Sequence, residues 1–363
     1  MRPATGHIST ARAARRALFA VTCAALAAGV MAGTTSMATA GITKPAASTP
    51  EPDSAPPFFA GIVSEPASGP VTHPFRDIVK IFSSATGTPA GTLRAPGSQN
   101  FSAVSRLGDD RSFVAAAFNR RACVSHLLKF TIDPAGRPSA LTRLAAPVRG
   151  QIEELTTSAD GTTLAVKVSG CAPGGPQTAV TDLATGQTTR WDTPARAFDA
   201  SLSLTADGSV LGFVLNPDVN DPNATDQAWI KPTDAPAGPL LSHARQVPGL
   251  GASAERTVLS PDGKQLWIEA QKTPNSTSPV TLSLVTTRTG ALVKKITRLS
   301  RGGRDLTFVG LALDNAGQHM LAYGGHPGPG HADAEEIDLR SGQTLTLPIT
   351  NPVIEGALTT FAW

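Results

Sequence analysis

"LSPDGKQLWIEA", residues 259–270, decides the fold. An Asp-Gly pair sits between two short apolar runs, with Ser and Pro just ahead of it. Asp-Gly tolerates the positive φ angles of a tight hairpin, so the stretch predicts strand, turn, strand. "TTSADGTTLAVKV" from Thr156, "SLTADGSVLGFVL" from Ser203 and "LALDNAGQHMLAY" from Leu311 repeat the pattern, and "SRLGDDRSFVAAAF" from Ser105 is a degenerate copy. A second hairpin follows each copy. "VTDLATGQTTRW", Val180 to Trp191, is the clearest, with counterparts in "IFSSATGTPAGTL", "FTIDPAGRPSALTRL", "IKPTDAPAGPLL", "LVTTRTGALVKKI" and "EIDLRSGQTLTL". Their turn glycines are Gly87, Gly136, Gly186, Gly238, Gly290 and Gly342, spaced by 49, 50, 52, 52 and 52 residues.

A unit of about 50 residues with two consecutive hairpins is one four-stranded propeller blade. The strands are named a to d from the central channel outward. The Asp-Gly turn joins a to b, and the Thr-Gly type of turn joins c to d. A twisted sheet of this kind buries its faces only against neighbours arranged radially. "FFAGIV", Phe58 to Val63, reads as a strand b without its own strand a, and "LTTFAW" at the C-terminus parallels "LTTSAD" at Leu155. The last segment is therefore expected to supply strand a of the first blade, closing an all-β ring of six blades. Five blades, with the ragged first one discarded, and seven are the rival counts.

The form "SPDG", strand, strand, "D-x-x-T-G", strand resembles the TolB-like and WD40-like (PD40) repeats of bacterial periplasmic and secreted propellers. "LSPDGKQLWIEA", "TSADGTTLAVKV" and "VTDLATGQTTRW" carry it, and the chain is also similar to secreted actinobacterial propellers of unassigned function. The resemblance implies partner binding and specifies a blade, not a chemistry. "RWDT" at Arg190 lies at an outer strand end and reads as incidental.

The first 40 residues read as a signal peptide. Arg2, Arg12, Arg15 and Arg16 form a basic head, the apolar run Ala17–Gly33 follows, and Ala38-Thr39-Ala40 offers a cleavage site. An uncleaved anchor is the competing reading, and the export route, general secretory or twin-arginine, stays open. Residues 41–57, rich in Pro, Ala and Ser, read as a flexible linker, and residues 58–363 as the propeller. Removing the four arginines takes the formal net charge from +3 to −1. The mature domain then has no electrostatic footprint for nucleic acid or an anionic membrane, and it is expected to be a monomer with no membrane span.

The longest connections fall between strands b and c, on the face opposite the short turns. Loops elaborated on one face of a rigid scaffold are where binding usually lives. Cys123 and Cys171 follow strand b in adjacent blades, so an exported protein is expected to bridge them; two separate thiols are the alternative. Just before strand a, five blades carry acids, Glu153 with Glu154, Asp199, Glu255, Asp305 and Glu355, and the sixth offers Asn100. These side chains could converge at the channel mouth and hold a Ca²⁺-like cation, loosely similar to lactonase-type propellers. A set of solvated loop acids is the simpler reading, under which the protein needs no cofactor. The groups His326, His331, Asp333, Glu335 and Asp218, Asn220, Asp221, Asp226 fit no standard metal spacing. Motifs for a nucleophile, G-x-S-x-G, S-x-x-K or H-E-x-x-H, are absent. The sequence therefore predicts an extracytoplasmic binding or scaffold module for a protein, a cell-envelope component or a small ligand. The alternative is a cation-dependent hydrolase or lactonase working at the channel mouth.

Overall fold

The structure is a computed structural model. It describes residues 55–66, 75–171, 175–194, 197–218, 220, 224–248, 253–271, 281–297, 307–325, 332–349 and 361–363. The signal segment, most of the linker, Asp305, Glu355, His326 and His331 lie outside the described residues.

Antiparallel pairing accounts for all but one of the strand pairs among the described residues, and no helix occurs among those residues. Blade 1 takes strand a from Phe361–Ala362 and strands b to d from Phe58–Pro66, Phe75–Ser83 and Pro89–Leu93. Blade 2 runs Asn100–Arg106, Ser112–Asn119, Val124–Thr131, with a divided outer strand, Thr142–Arg143 and Val148–Arg149. Blade 3 is Gln151–Thr157, Thr163–Ser169, Gln177–Asp182 and Thr188–Asp192. Blade 4 is Phe198–Leu204, Val210–Asn216, Gln227–Pro232 and the short Arg245–Gln246. Blade 5 is Ser253–Leu259, Gln265–Gln271, Thr281–Thr286 and Leu292–Thr297; blade 6 is Thr307–Leu313, His319–Gly325, Ala332–Asp338 and Thr344–Pro348.

The ring closes as the two chain ends predict. Ala60 pairs with Ala362 and Gly61 with Phe361, antiparallel. Each innermost strand touches those of both neighbouring blades, all the way round. The core is divided accordingly, each apolar cluster lying between two adjacent blades. Phe59, Phe82, Leu321 and Trp363 fill the seam between blades 6 and 1. Phe101, Phe113 and Phe130 fill the next one, against Ile62 and Ile81 of blade 1. Strand b is covered on both faces, which is why "FVAAAF" and "LAVKV" read as continuous apolar runs instead of alternating ones; Phe113 to Ala117 have no exposed surface.

The a–b turns of blades 3, 4 and 5 share one chemistry. In blade 3 the Ser158 hydroxyl donates to Asp160 Oδ1 (2.6 Å), which also accepts the Thr162 N–H (3.0 Å), while Ser158 Oγ accepts the Thr163 N–H (2.9 Å). Thr205 with Asp207 and Ser260 with Asp262 repeat these contacts in blades 4 and 5. The turns also rail the blades together: Asp160 N–H donates to Ala206 O (3.0 Å), and Ala206 N–H to Pro261 O (2.8 Å).

One expected hairpin is replaced. Gly238 does not close a c–d turn in blade 4. With Gly238–Pro239 it forms a strand parallel to Trp191–Asp192 of blade 3. Pro232, Pro236 and Pro239 break up the hydrogen-bond ladder that a hairpin would need, and the segment becomes a strap across the neighbouring blade. Trp191 Nε1–H donates to Pro236 O (2.9 Å), Leu240 N–H donates to Asp192 O (2.8 Å), and Trp191 is fully buried. The Lys231 ammonium lies 4.9 Å from the centre of the Trp191 ring and donates to Ser242 O, and burial lowers its pKa. Trp191 is therefore part of the seam core.

Candidate functional site

The five innermost strands paired along their length share an irregularity. In blade 2 Phe101 pairs with Ala117 and Ala103 with Ala116, so Ser102 is the extra residue of a β-bulge. Glu153, Glu255 and Val309 occupy the same step in blades 3, 5 and 6, and Ser201 with Leu202 do so in blade 4. A bulge sets two residues against one and re-aims the side chain it carries. Four of the acids thus lie inside strand a, not ahead of it: Glu153 and Glu255 on bulges, Glu154 paired with Lys167, and Asp199 paired with Leu215.

The acids do not share one fate. Glu154 Oε2 accepts the Leu202 N–H (3.1 Å), a donor that the blade 4 bulge takes out of the ladder. It is an inter-blade fastening. Glu153 faces the other way. Its carboxylate accepts the Ser169 hydroxyl and pairs with Lys167 Nζ at 3.3 Å, Lys167 being almost fully buried in strand b of the same blade. The side chains of Asp199 and Glu255, and the whole of Asp305 and Glu355, lie outside the described residues.

Asn100 and Glu153 do meet at one cavity. It is a cleft of about 550 Å³ at the start of the innermost strands of blades 2 and 3, the face on which the b–c loops lie. Asp77 at the start of strand c of blade 1 walls one side; Phe118 and Arg120, where strand b of blade 2 ends, wall another. Gln151, the first residue of strand a of blade 3, completes the rim beside Asn100, the first residue of the same strand in blade 2. Asp77 Oδ1 accepts the Ser64 hydroxyl (2.5 Å). Asp77, Phe118, Arg120 and Gln151 carried no signal in the sequence beyond their places at strand ends; the paired basic residues of "NRRAC" beside Cys123 were the nearest to one.

The expected disulfide joins Cys123 to Cys171, with Cα atoms 6.0 Å apart. Each cysteine follows strand b of its blade, and the bond ties together the two loops beside the cleft. Cys123 takes a positive φ of 54°, and its carbonyl accepts the Gly150 N–H (3.0 Å) just before Gln151. The bridge therefore braces the backbone that presents Gln151 and Glu153.

At Glu153 the fit for a cation is poor. Any ion at Glu153 has to compete with the Lys167 ammonium and the Ser169 hydroxyl. No group of three or more His, Cys, Asp or Glu that could hold a metal occurs among the described residues. The Asp333 and Glu335 backbones lie in strand c of blade 6, and Glu335 is buried there.

The opposite mouth of the channel is a structural plug. A cavity of about 150 Å³ is rimmed by the ends of all six innermost strands. Arg106, buried from blade 2, donates to Asn315 Oδ1 of blade 6 (2.6 Å) and to Asp110 Oδ1 (3.1 Å). Trp363 closes the same end, its Nε1–H donating to Ser84 Oγ (3.0 Å).

The chain is similar to several solved structures. A protein of Agrobacterium tumefaciens assigned as TolB is 13% identical with a TM-score of 0.47, covering 69% of this chain and 81% of its own. The periplasmic gluconolactonase PpgL of Pseudomonas aeruginosa is 17% identical with a TM-score of 0.49, covering 82% of this chain and 84% of its own. The β-propeller domain of Cps50 (Swd1) from Myceliophteria thermophila is 14% identical with a TM-score of 0.44, covering 79% of this chain and 83% of its own. No protein-family model matches the chain, and no curated protein does.

Proposed function

We propose that the protein is an exported propeller that works as a binding module, with the b–c face as its contact surface. The observation that carries this reading is the Cys123–Cys171 bridge beside the cleft. A disulfide persists in oxidising compartments, which fits the signal-like first 40 residues. It also holds loops of two blades in fixed relation where Arg120, Gln151 and Glu153 line one cavity. Preorganised loops on a rigid scaffold bind without a large ordering cost. The occupant is a cell-envelope component, taken up by a single copy of the chain without a cofactor.

Co-sedimentation of the purified protein with isolated cell envelopes tests this. The protein pellets with the envelopes, and Arg120→Ala on the b–c face lowers the bound fraction severalfold, while Lys264→Ala at an exposed a–b turn does not. Equal loss in both variants, or no pelleting of the wild type, overturns the reading.

A further inference from the structure

We infer that the cleft between blades 1, 2 and 3 is a subsite for a neutral saccharide, an inference that rests on the binding-module reading. The argument is about which groups in the cleft are already in use. Glu153 is engaged by Lys167 and Ser169. Asp77 accepts from Ser64, and Arg120 has a partner within the protein. A charged ligand therefore meets one carboxylate already paired with an ammonium and two charged groups already in contact with other parts of the protein, and disturbing those contacts offsets what it gains.

The neutral groups are different. The amides of Asn100 and Gln151 are half-exposed on the rim and make no hydrogen bond to other described residues. They occupy the first position of strand a in neighbouring blades, so equivalent places in the ring bring both residues to one cleft. An amide offers a donor and an acceptor together, which is what adjacent hydroxyl groups on a sugar ring require. Phe118, half-exposed on the wall, supplies an apolar surface for the C–H face of such a ring. A volume of about 550 Å³ lies within the usual range for small-ligand sites and admits a mono- or disaccharide. The chemistry is complementary to a polyhydroxylated, uncharged molecule, as at the end of an envelope glycan.

Saturation-transfer NMR on the full protein tests the assignment. The probes are glucose, galactose, N-acetylglucosamine, cellobiose and chitobiose, with glycylglycine as the zwitterionic control. At least one saccharide receives saturation, and Asn100→Ala and Gln151→Ala each weaken it about tenfold, the worth of one net hydrogen bond. Asn100→Asp and Gln151→Glu remove the donors at nearly constant size, so a loss in these variants with an unchanged melt separates recognition from folding. Transfer to glycylglycine alone overturns the saccharide assignment in favour of a dipolar ligand. If no probe receives transfer while envelopes still pellet the protein, the saccharide subsite falls and the binding module stands. If neither occurs, both fall.

Discussion

At the scale of single residues, the turn aspartates carry the clearest consequence. Asp207 accepts the Ser209 N–H and the Thr205 and Ser209 hydroxyls, which hold its carboxylate down at about 2. Asp160 and Asp262 are lowered by the same kind of contacts, and Asp133, Asp182 and Asp338 by backbone N–H groups in the c–d turns. A carboxylate lowered in the folded state stabilises the fold above its unfolded value, near 4, and stops doing so as pH falls through the folded value. Glu336 opposes them. Burial raises its pKa, so its protonation in acid favours the fold. The lowered groups outnumber it. The melting temperature is expected to be flat from neutral pH to about 5 and to fall between about pH 4 and pH 2. Asp207→Asn keeps an acceptor oxygen but cannot ionise, and should lose part of this acid sensitivity. A profile parallel to the wild type would show that the contacts at Asp207 do not couple to folding.

At the scale of elements, what was legible in the sequence follows from how local its cause is. The Ser-x-Asp-Gly turns announce themselves because residues two to five apart in the chain make the hydrogen bonds that shape them. The two-hairpin unit is legible for the same reason. Gly238 misled because a Pro-rich segment resembles a turn until a neighbouring strand is available to it. The roles of two acids were hidden for a related reason. A bulge is a disagreement between two strands, so Glu153 and Glu154, adjacent in sequence, part company in a way that neither strand reveals alone. The cleft was half legible: Asn100 and Glu153 were singled out, whereas Asp77, Arg120 and Gln151 join them only through the arrangement of three blades. The disulfide was legible because its cysteines sit at equivalent blade positions. Its loop of 48 residues implies a contribution of about 4 kcal/mol from restricting the unfolded chain. Cys123→Ser should thus lower the unfolding free energy by roughly 2–4 kcal/mol, read by denaturant titration without reductant, and excess reductant should bring the wild type to the mutant value. Coincident curves without reductant would exclude a stabilising bridge.

For the whole molecule, stability depends on the seam where blade 6 meets blade 1. Trp363 is buried there, and Phe361–Ala362 covers the inner edge of Phe58–Pro66. Removing residues 361–363 deletes that large apolar side chain and uncovers a strand edge, a loss of at least about 3–5 kcal/mol. The shortened chain should melt well below the full one, as followed by calorimetry; an unchanged melt would mean that the ring is held elsewhere. The same seam puts synthesis and folding out of step. Strands Phe58–Pro66 to Pro89–Leu93 are among the first parts of the propeller to leave the ribosome, yet their missing partner is among the last. At roughly 5–20 residues per second, the intervening 300 or so residues take about 15–60 s to make. Throughout that interval the inner edge of Phe58–Pro66 is an open template for a foreign strand. A factor that shields nascent or translocating chain therefore has its longest task at the residues made first.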